Sequence, residues 1–151
     1  MATPSSTQIL TAYICVRGAS EALAFYKKAF GAEETFRLTD LTGKIGHAQV
    51  TIGGSTLMLA DEHPEYGVLA PPALGGSPVS LHIDVVNADA AYQRALDAGA
   101  TALRPPSDQF YGMRAASVVC PFGYRWTLSH PVEEVSPQEM QRRFSEMTKG
   151  G

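Results

Sequence analysis

The chain has 151 residues, 44% hydrophobic and 18% charged, with 12 Lys and Arg against 15 Asp and Glu for a net charge of −3. That supplies one core of ordinary domain size, and the acidic balance excludes a broad nucleic-acid surface, which needs clustered positive charge. No apolar stretch approaches the ~20 residues of a membrane span, the first seven residues lack the charged and apolar regions of a secretory signal, and Cys15 and Cys120 make no Cys-x-x-Cys pair or disulfide framework. The expectation is a reduced, cytoplasmic, globular protein with neither membrane nor nucleic acid as partner.

In chain order, Ile9–Val16 alternates with Leu10, Ala12, Ile14 and Val16 on one parity, which predicts a strand with one face on a core. Ala19–Phe30 follows a helical period and ends at Gly31. Thr35–Thr39, His47–Ile52 and Thr56–Ala60 are strand candidates separated by turn residues. The linker Asp61–Ser77 is rich in Pro and Gly. The order then returns: strand Val79–Val85, helix Asp89–Ala98 stopped by Gly99, and strand candidates Ala102–Arg104, Ala115–Val119 and Tyr124–Ser129. Ala29–Ala32 matches Asp97–Ala100 at an offset of 68, and Gly53–Leu57 matches Phe122–Trp126 at 69. An ordered pattern seen twice is a stronger signal than either half. A final amphipathic helix over 136–147 opens on the capping box Ser136-Pro-Gln-Glu139.

Phe25–Ala32, Leu57–Asp61, Leu74–Pro78, Asp108–Gly112 and Pro121–Trp126 carry a resemblance to the vicinal oxygen chelate superfamily, which includes glyoxalase I, extradiol dioxygenases and bleomycin-resistance proteins. The last four are similar to a glyoxalase-like branch named after a phosphonate-operon protein. The resemblance implies an α+β fold: two β-α-β-β-β modules with curled mixed sheets around a cavity, plus a C-terminal helix. It places one domain at 8–131, with module one at 8–61, the linker at 62–77 and module two at 78–131. It also implies a homodimer.

In the metal-dependent members four ligands, usually His, Gln or Glu, come from the first and last strands of each module. The resemblance puts those positions at Thr11, Met58, Ser80 and Thr127, which the repeat pairs at an offset of 69. Three hydroxyls and a soft thioether are poor ligands for the divalent ions of these enzymes, so no metal and no other cofactor is expected. No Walker A loop, nucleophile elbow or Rossmann fingerprint stands in the chain.

If the apolar parity faces the helices, Tyr13, Cys15, His82, Asp84, Arg125, Thr127 and Ser129 face the other way. That polar face is the expected site for a small-molecule ligand. His82 with Asp84 reads either as a general base with its orienting carboxylate or as a hydrogen-bonded wall histidine. His47 and Gln49 open a strand and either reach the cavity or satisfy a strand end. Phe110, Tyr111 and Arg114 sit in a turn and read as ligand-stacking aromatics with an anion partner, or as a plug against the barrel or a partner subunit. His63 and His130 read as solvated, Trp126 as core, and both cysteines as small buried hydrophobes. Three functions are weighed. The first is a metal-free small-molecule binding protein of the glyoxalase/bleomycin-resistance type. The second is a metal-dependent lyase, isomerase or dioxygenase with shifted ligands, and the third a non-catalytic dimeric interaction protein. The sequence leaves open whether the protein is an enzyme.

Overall fold

The computed structural model describes residues 7–150; the N-terminal stretch read above as lacking a secretory signal lies almost wholly outside them. The first module runs β1 (Ala12–Val16), α1 (Ala19–Phe30), β2 (Glu33–Thr39), β3 (Ile45–Ile52) and β4 (Ser55–Asp61). A 3₁₀ turn (Pro64–Tyr66) and the short α2 (Pro71–Leu74) occupy the linker. The second module runs β5 (Ser80–Asp84), α3 (Ala88–Ala98), β6 (Thr101–Asp108), β7 (Met113–Val119) and β8 (Arg125–Pro131), and α4 (Pro137–Thr148) follows. This is the expected α+β fold of two β-α-β-β-β modules and a C-terminal helix.

Each module forms its own four-stranded mixed sheet, ordered β1-β4-β3-β2 and β5-β8-β7-β6. The first and last strands of each module pair in parallel, as they must when a helix carries the chain across the sheet. Their registers coincide. Ala12 faces Leu57 and Tyr13 faces Met58 in one sheet, while Leu81 faces Trp126 and His82 faces Thr127 in the other. The offset of 69 read from sequence is therefore the geometric offset of these two strand pairs.

The alternation holds where the core is. Ile14 and Val16 are buried while Tyr13 is exposed, and Trp126 and Leu128 are buried while Arg125 is exposed. The buried side chains form one cluster across both modules. Tyr26 of α1 lies 5.2 Å from the Trp126 ring and 6.0 Å from Phe122, and Phe30 lies 4.6 Å from Trp126. The Tyr26 hydroxyl meets Cys120 Sγ at 3.4 Å, and burial, followed by Cys120, holds its pKa well above the ordinary phenol value. Trp126 is thus a core residue, as its parity implied, and Cys120 the small buried hydrophobe expected. Cys15 is only half-buried.

The element borders differ from expectation in instructive places. β6 runs from Thr101 to Asp108, beyond the expected Ala102–Arg104 and through Pro105 and Pro106. It is an edge strand, where proline is tolerated, and its register shifts between Arg104 and Ser107, across the two prolines. His130, read as solvated, is half-buried and accepts the Ala88 N–H with Nδ1 at 2.8 Å, so it caps α3. Asp61 does the same for α1. Its Oδ1 accepts from Gly18 and Ala19 at 3.1 and 2.8 Å, and its Oδ2 accepts from Ile45 at 2.8 Å. The linker is clipped to β1 through Glu62, which takes Arg17 on one oxygen and the Ala70 N–H on the other.

Candidate functional site

On the face of the first sheet turned away from the helices, one row crosses all four strands: Tyr13 faces Met58, Met58 faces Gln49, and Gln49 faces Phe36. Leu38 is set beside His47. The Tyr13 hydroxyl lies 2.8 Å from His47 Nδ1, and His47 Nε2 lies 3.1 Å from Gln49 Oε1. An amide oxygen only accepts, so Nε2 carries the proton and donates to Gln49. Nδ1 is left to bond with the Tyr13 hydroxyl, which can donate or accept. The chain Tyr13–His47–Gln49 therefore fixes the orientation of the imidazole through both of its nitrogens. The His47 ring is flanked by Tyr13 at 5.3 Å and Phe36 at 5.5 Å. Partial burial, then the neighbouring Cys15, raise the Tyr13 pKa, so its hydroxyl keeps its proton and works as a hydrogen-bonding group.

This cluster stays open. Tyr13 is 51% exposed and Phe36 42%. The structure thus brings Tyr13, His47 and Gln49 together. It adds Phe36 and Leu38, which the sequence reading passed over although they share one parity of β2 on either side of Arg37. That alternation is the signal that was available.

The corresponding face of the second sheet carries Ser80, His82 and Asp84 on β5, and Arg125, Thr127 and Ser129 on β8. His82 and Asp84 are exposed and on the same face, but no hydrogen bond joins them. Ser117 and Thr127 bond to each other at 3.1 Å. Arg125 is exposed at the strand start. Arg114 is engaged elsewhere: it holds Asp89 through two bonds of 2.7 and 2.9 Å, and Asp108 at 3.0 Å. Phe110 and Tyr111 are packed against one another at 5.1 Å, and Phe110 meets Phe144 of α4 at 5.8 Å. Arg143 of α4 donates to the Phe110 carbonyl and pairs with Glu133. This turn is the seat of α4.

A cleft of about 830 Å³ lies between the modules, and His82 and Asp84 line it together with Leu81 and Ile83. Its walls are β5, the β3–β4 hairpin, the end of α1 and the start of α3.

The four positions that the resemblance assigns to metal ligands carry three hydroxyls and one thioether. Thr127 already spends its hydroxyl on Ser117, and Met58 lies between Tyr13 and Gln49 in the row. A hard divalent ion needs carboxylate, imidazole or several carbonyl oxygens, and this set offers none. Among the described residues, no three His, Cys, Asp or Glu side chains gather into a group that could hold a metal ion. The residues do not fit the metal that the resemblance implies.

The chain is 41% identical over 144 residues to the uncharacterized protein Mb0911c of Mycobacterium bovis, an alignment covering 93% of this chain and 95% of that one. Among solved structures it resembles the product of the Arabidopsis thaliana gene AT5G48480, at 25% identity and a TM-score of 0.66 over 82% of this chain and 98% of that one. It also resembles a Bacillus cereus PhnB protein described as a putative 3-demethylubiquinone-9 3-methyltransferase, at 20% identity and a TM-score of 0.62 over 82% and 99%; that likeness is one of fold. Residues 8–128 match the Glyoxalase/Bleomycin resistance protein/Dioxygenase superfamily, and the chain belongs to it.

Proposed function

We propose that this superfamily member is a metal-free small-molecule binding protein whose ligand sits on the polar face of the first module. The observation that carries the reading is the Tyr13–His47–Gln49 chain beside exposed Phe36 and Leu38. Ordered polar groups amid exposed apolar surface suit recognition better than stability, since a fully hydrated hydrogen bond adds little to folding. Beyond its bond to His47, the Tyr13 oxygen retains a lone pair for a ligand donor. Phe36, Leu38 and Met58 offer apolar area around it. The fitting ligand is a small, uncharged molecule with an apolar body and an O–H or N–H donor.

The test is a thermal-shift screen of aromatic and peptide compounds, in which a ligand raises stability by mass action. Hits are then titrated into Tyr13→Phe, His47→Ala and His63→Ala proteins. The first two weaken binding, and the third leaves it unchanged. Equal effects of all three substitutions reject the site. The homodimer implied by the resemblance is proposed as well, supported by half-exposed Phe144 and exposed Met147 on α4. A monomer mass by light scattering at micromolar concentration rejects it.

A further inference from the structure

The two modules are built on one plan, yet the interface between them is filled on one side and open on the other. On the filled side Tyr124 reaches from the start of β8 to the edge of β1. Its hydroxyl accepts the Cys15 N–H at 3.3 Å and donates to the Cys15 carbonyl at 2.8 Å. Phe122 and Trp126 back it, packed on Phe25, Tyr26 and Phe30 of α1.

The offset of 69 along β1/β5 and β4/β8 identifies the counterpart of each of these residues. Opposite Cys15 stands Asp84, opposite Tyr124 stands Ser55, and opposite Trp126 stands Leu57. The preceding turns differ in length. Ile52 pairs with Ser55 across Gly53-Gly54, whereas Cys120 pairs with Tyr124 across Pro121-Phe122-Gly123. The second module's turn therefore carries an extra residue and a phenyl ring that the first lacks. The helices differ in the same sense. Gly31 and Gly99 end α1 and α3 at equivalent points, and counting back sets Arg94 opposite Tyr26 and Ala90 opposite Ala22. Serine, leucine and arginine thus stand where the filled side has Tyr124, Trp126 and Tyr26, and the cleft of about 830 Å³ lies there. Gly53, Ser55, Leu57, Asp84, Ala90 and Arg94 are all on its wall. Its size is in the range of small-ligand pockets, about 300–1,000 Å³.

The backbone edge in that cleft is open, as that of β1 would be without Tyr124. Val85 N–H bonds to Ser129 on β8, so by strand alternation the Asp84 N–H and carbonyl turn outward to the open edge. The Ser55 side chain is too short to repeat the reach of Tyr124.

We propose that this cleft is a second ligand site, and that it takes a small phenol. The ring lies where the Tyr124 ring lies in the other half, and the hydroxyl bridges the Asp84 N–H and carbonyl. The site is separate from the polar face of the first module and stands or falls independently of it.

The probe is p-cresol, the side chain of tyrosine as a free molecule. Calorimetric titration of the full chain shows saturable 1:1 binding, and toluene, which lacks the hydroxyl, binds about fivefold more weakly. Ser55→Tyr supplies the missing side chain and abolishes binding, while Ser55→Ala retains it. Ala90→Phe, at an exposed helical position on the same wall, does the same work if Ser55→Tyr does not fold. Absence of saturable p-cresol binding overturns the proposal. So does binding that survives in a folded Ser55→Tyr protein, or that is lost in His47→Ala but kept in Ser55→Tyr, which puts the phenol on the polar face. A dimer that p-cresol leaves intact and Ser55→Tyr converts to monomer gives the cleft to a second copy and overturns it equally.

Discussion

Asp61 and His130 occupy the same place in the two modules, and each accepts the first backbone N–H of its module's helix, Ala19 at 2.8 Å and Ala88 at 2.8 Å. The capping device is repeated while the residue that performs it is not. Asp61 takes two further N–H groups, from Gly18 and Ile45, so it ties β4, α1 and β3 together. His130 takes one, and Asn87 supplies the second cap of α3 through Ala90.

Asp61→Ala accordingly destabilises the protein by about 2–3 kcal/mol, and His130→Ala by about 1 kcal/mol, from lost caps and charge-assisted bonds. Urea unfolding of both variants measures the difference. Asp61→Asn falls close to Asp61→Ala, because an amide nitrogen turned toward either set of N–H groups cannot accept from it. Equal losses for Asp61→Ala and His130→Ala would contradict the geometry.

Tyr124→Phe removes the group that closes the edge of β1 and leaves the Cys15 N–H and carbonyl without it. The expected cost is about 1–2 kcal/mol for partly buried backbone groups left unpaired. Tyr66→Phe, at an exposed position, serves as the comparison and moves the melting temperature by less than a degree or so. A Tyr124→Phe protein as stable as the parent shows that water replaces the hydroxyl.

Gly112 has φ +90°, and a Cβ there would meet the Glu133 carbonyl oxygen and the Val135 side chain. Gly75 has φ +79° with open space around it. Gly75→Ala therefore costs only the left-handed strain, about 1 kcal/mol. Gly112→Ala costs more, and it also loosens the chain segment that leads into α4. Limited proteolysis near Val135 separates the two variants, with cleavage accelerated only in Gly112→Ala.

The α4 helix is expected to loosen in acid. Hydrogen bonds from Arg142 and then Arg143 hold the Glu139 carboxyl down to about 2, and Arg143 lowers Glu133 as well. A depressed carboxylate stabilises the folded form above its ordinary value of 4.5 and loses that contribution as pH falls toward about 2. Amide exchange in residues 137–148 therefore accelerates between those limits, beyond the intrinsic trend. Glu139→Gln, with no carboxylate to protonate, shows a smaller change over the same interval. A parent protein whose α4 protection is flat across it rejects the role of these ion pairs.

The module pattern was readable because both sheets bury one face, so apolar alternation marks strand parity directly at Ile14, Val16, Trp126 and Leu128. The site was readable only as parity: Tyr13, His47 and Gln49 share a face, but their hydrogen bonds depend on a row that runs across separate strands. Phe36 and Leu38 escaped because β2 is exposed throughout and carries no core signal. Phe110 and Tyr111 looked like ligand aromatics because their partner, Phe144, lies 34 residues from Phe110 in sequence and belongs to a helix whose resting place no local pattern records. Asp61 and His130 carry the same lesson. A side chain that caps a helix from the end of another strand leaves no trace at the helix itself.

Trp126 is the chain's single tryptophan. It belongs to the second module, yet Tyr26 and Phe30 of the first lie within 5.2 Å of its ring centre. Its fluorescence is therefore an intrinsic gauge of whether the halves are joined, with no label required. Separation of the modules red-shifts the emission even where each sheet keeps its own hydrogen bonds. Far-ultraviolet circular dichroism reads the sheets and helices instead. Because one shared core serves both halves, the two signals are expected to fall along a single curve, with the halves melting as one cooperative unit.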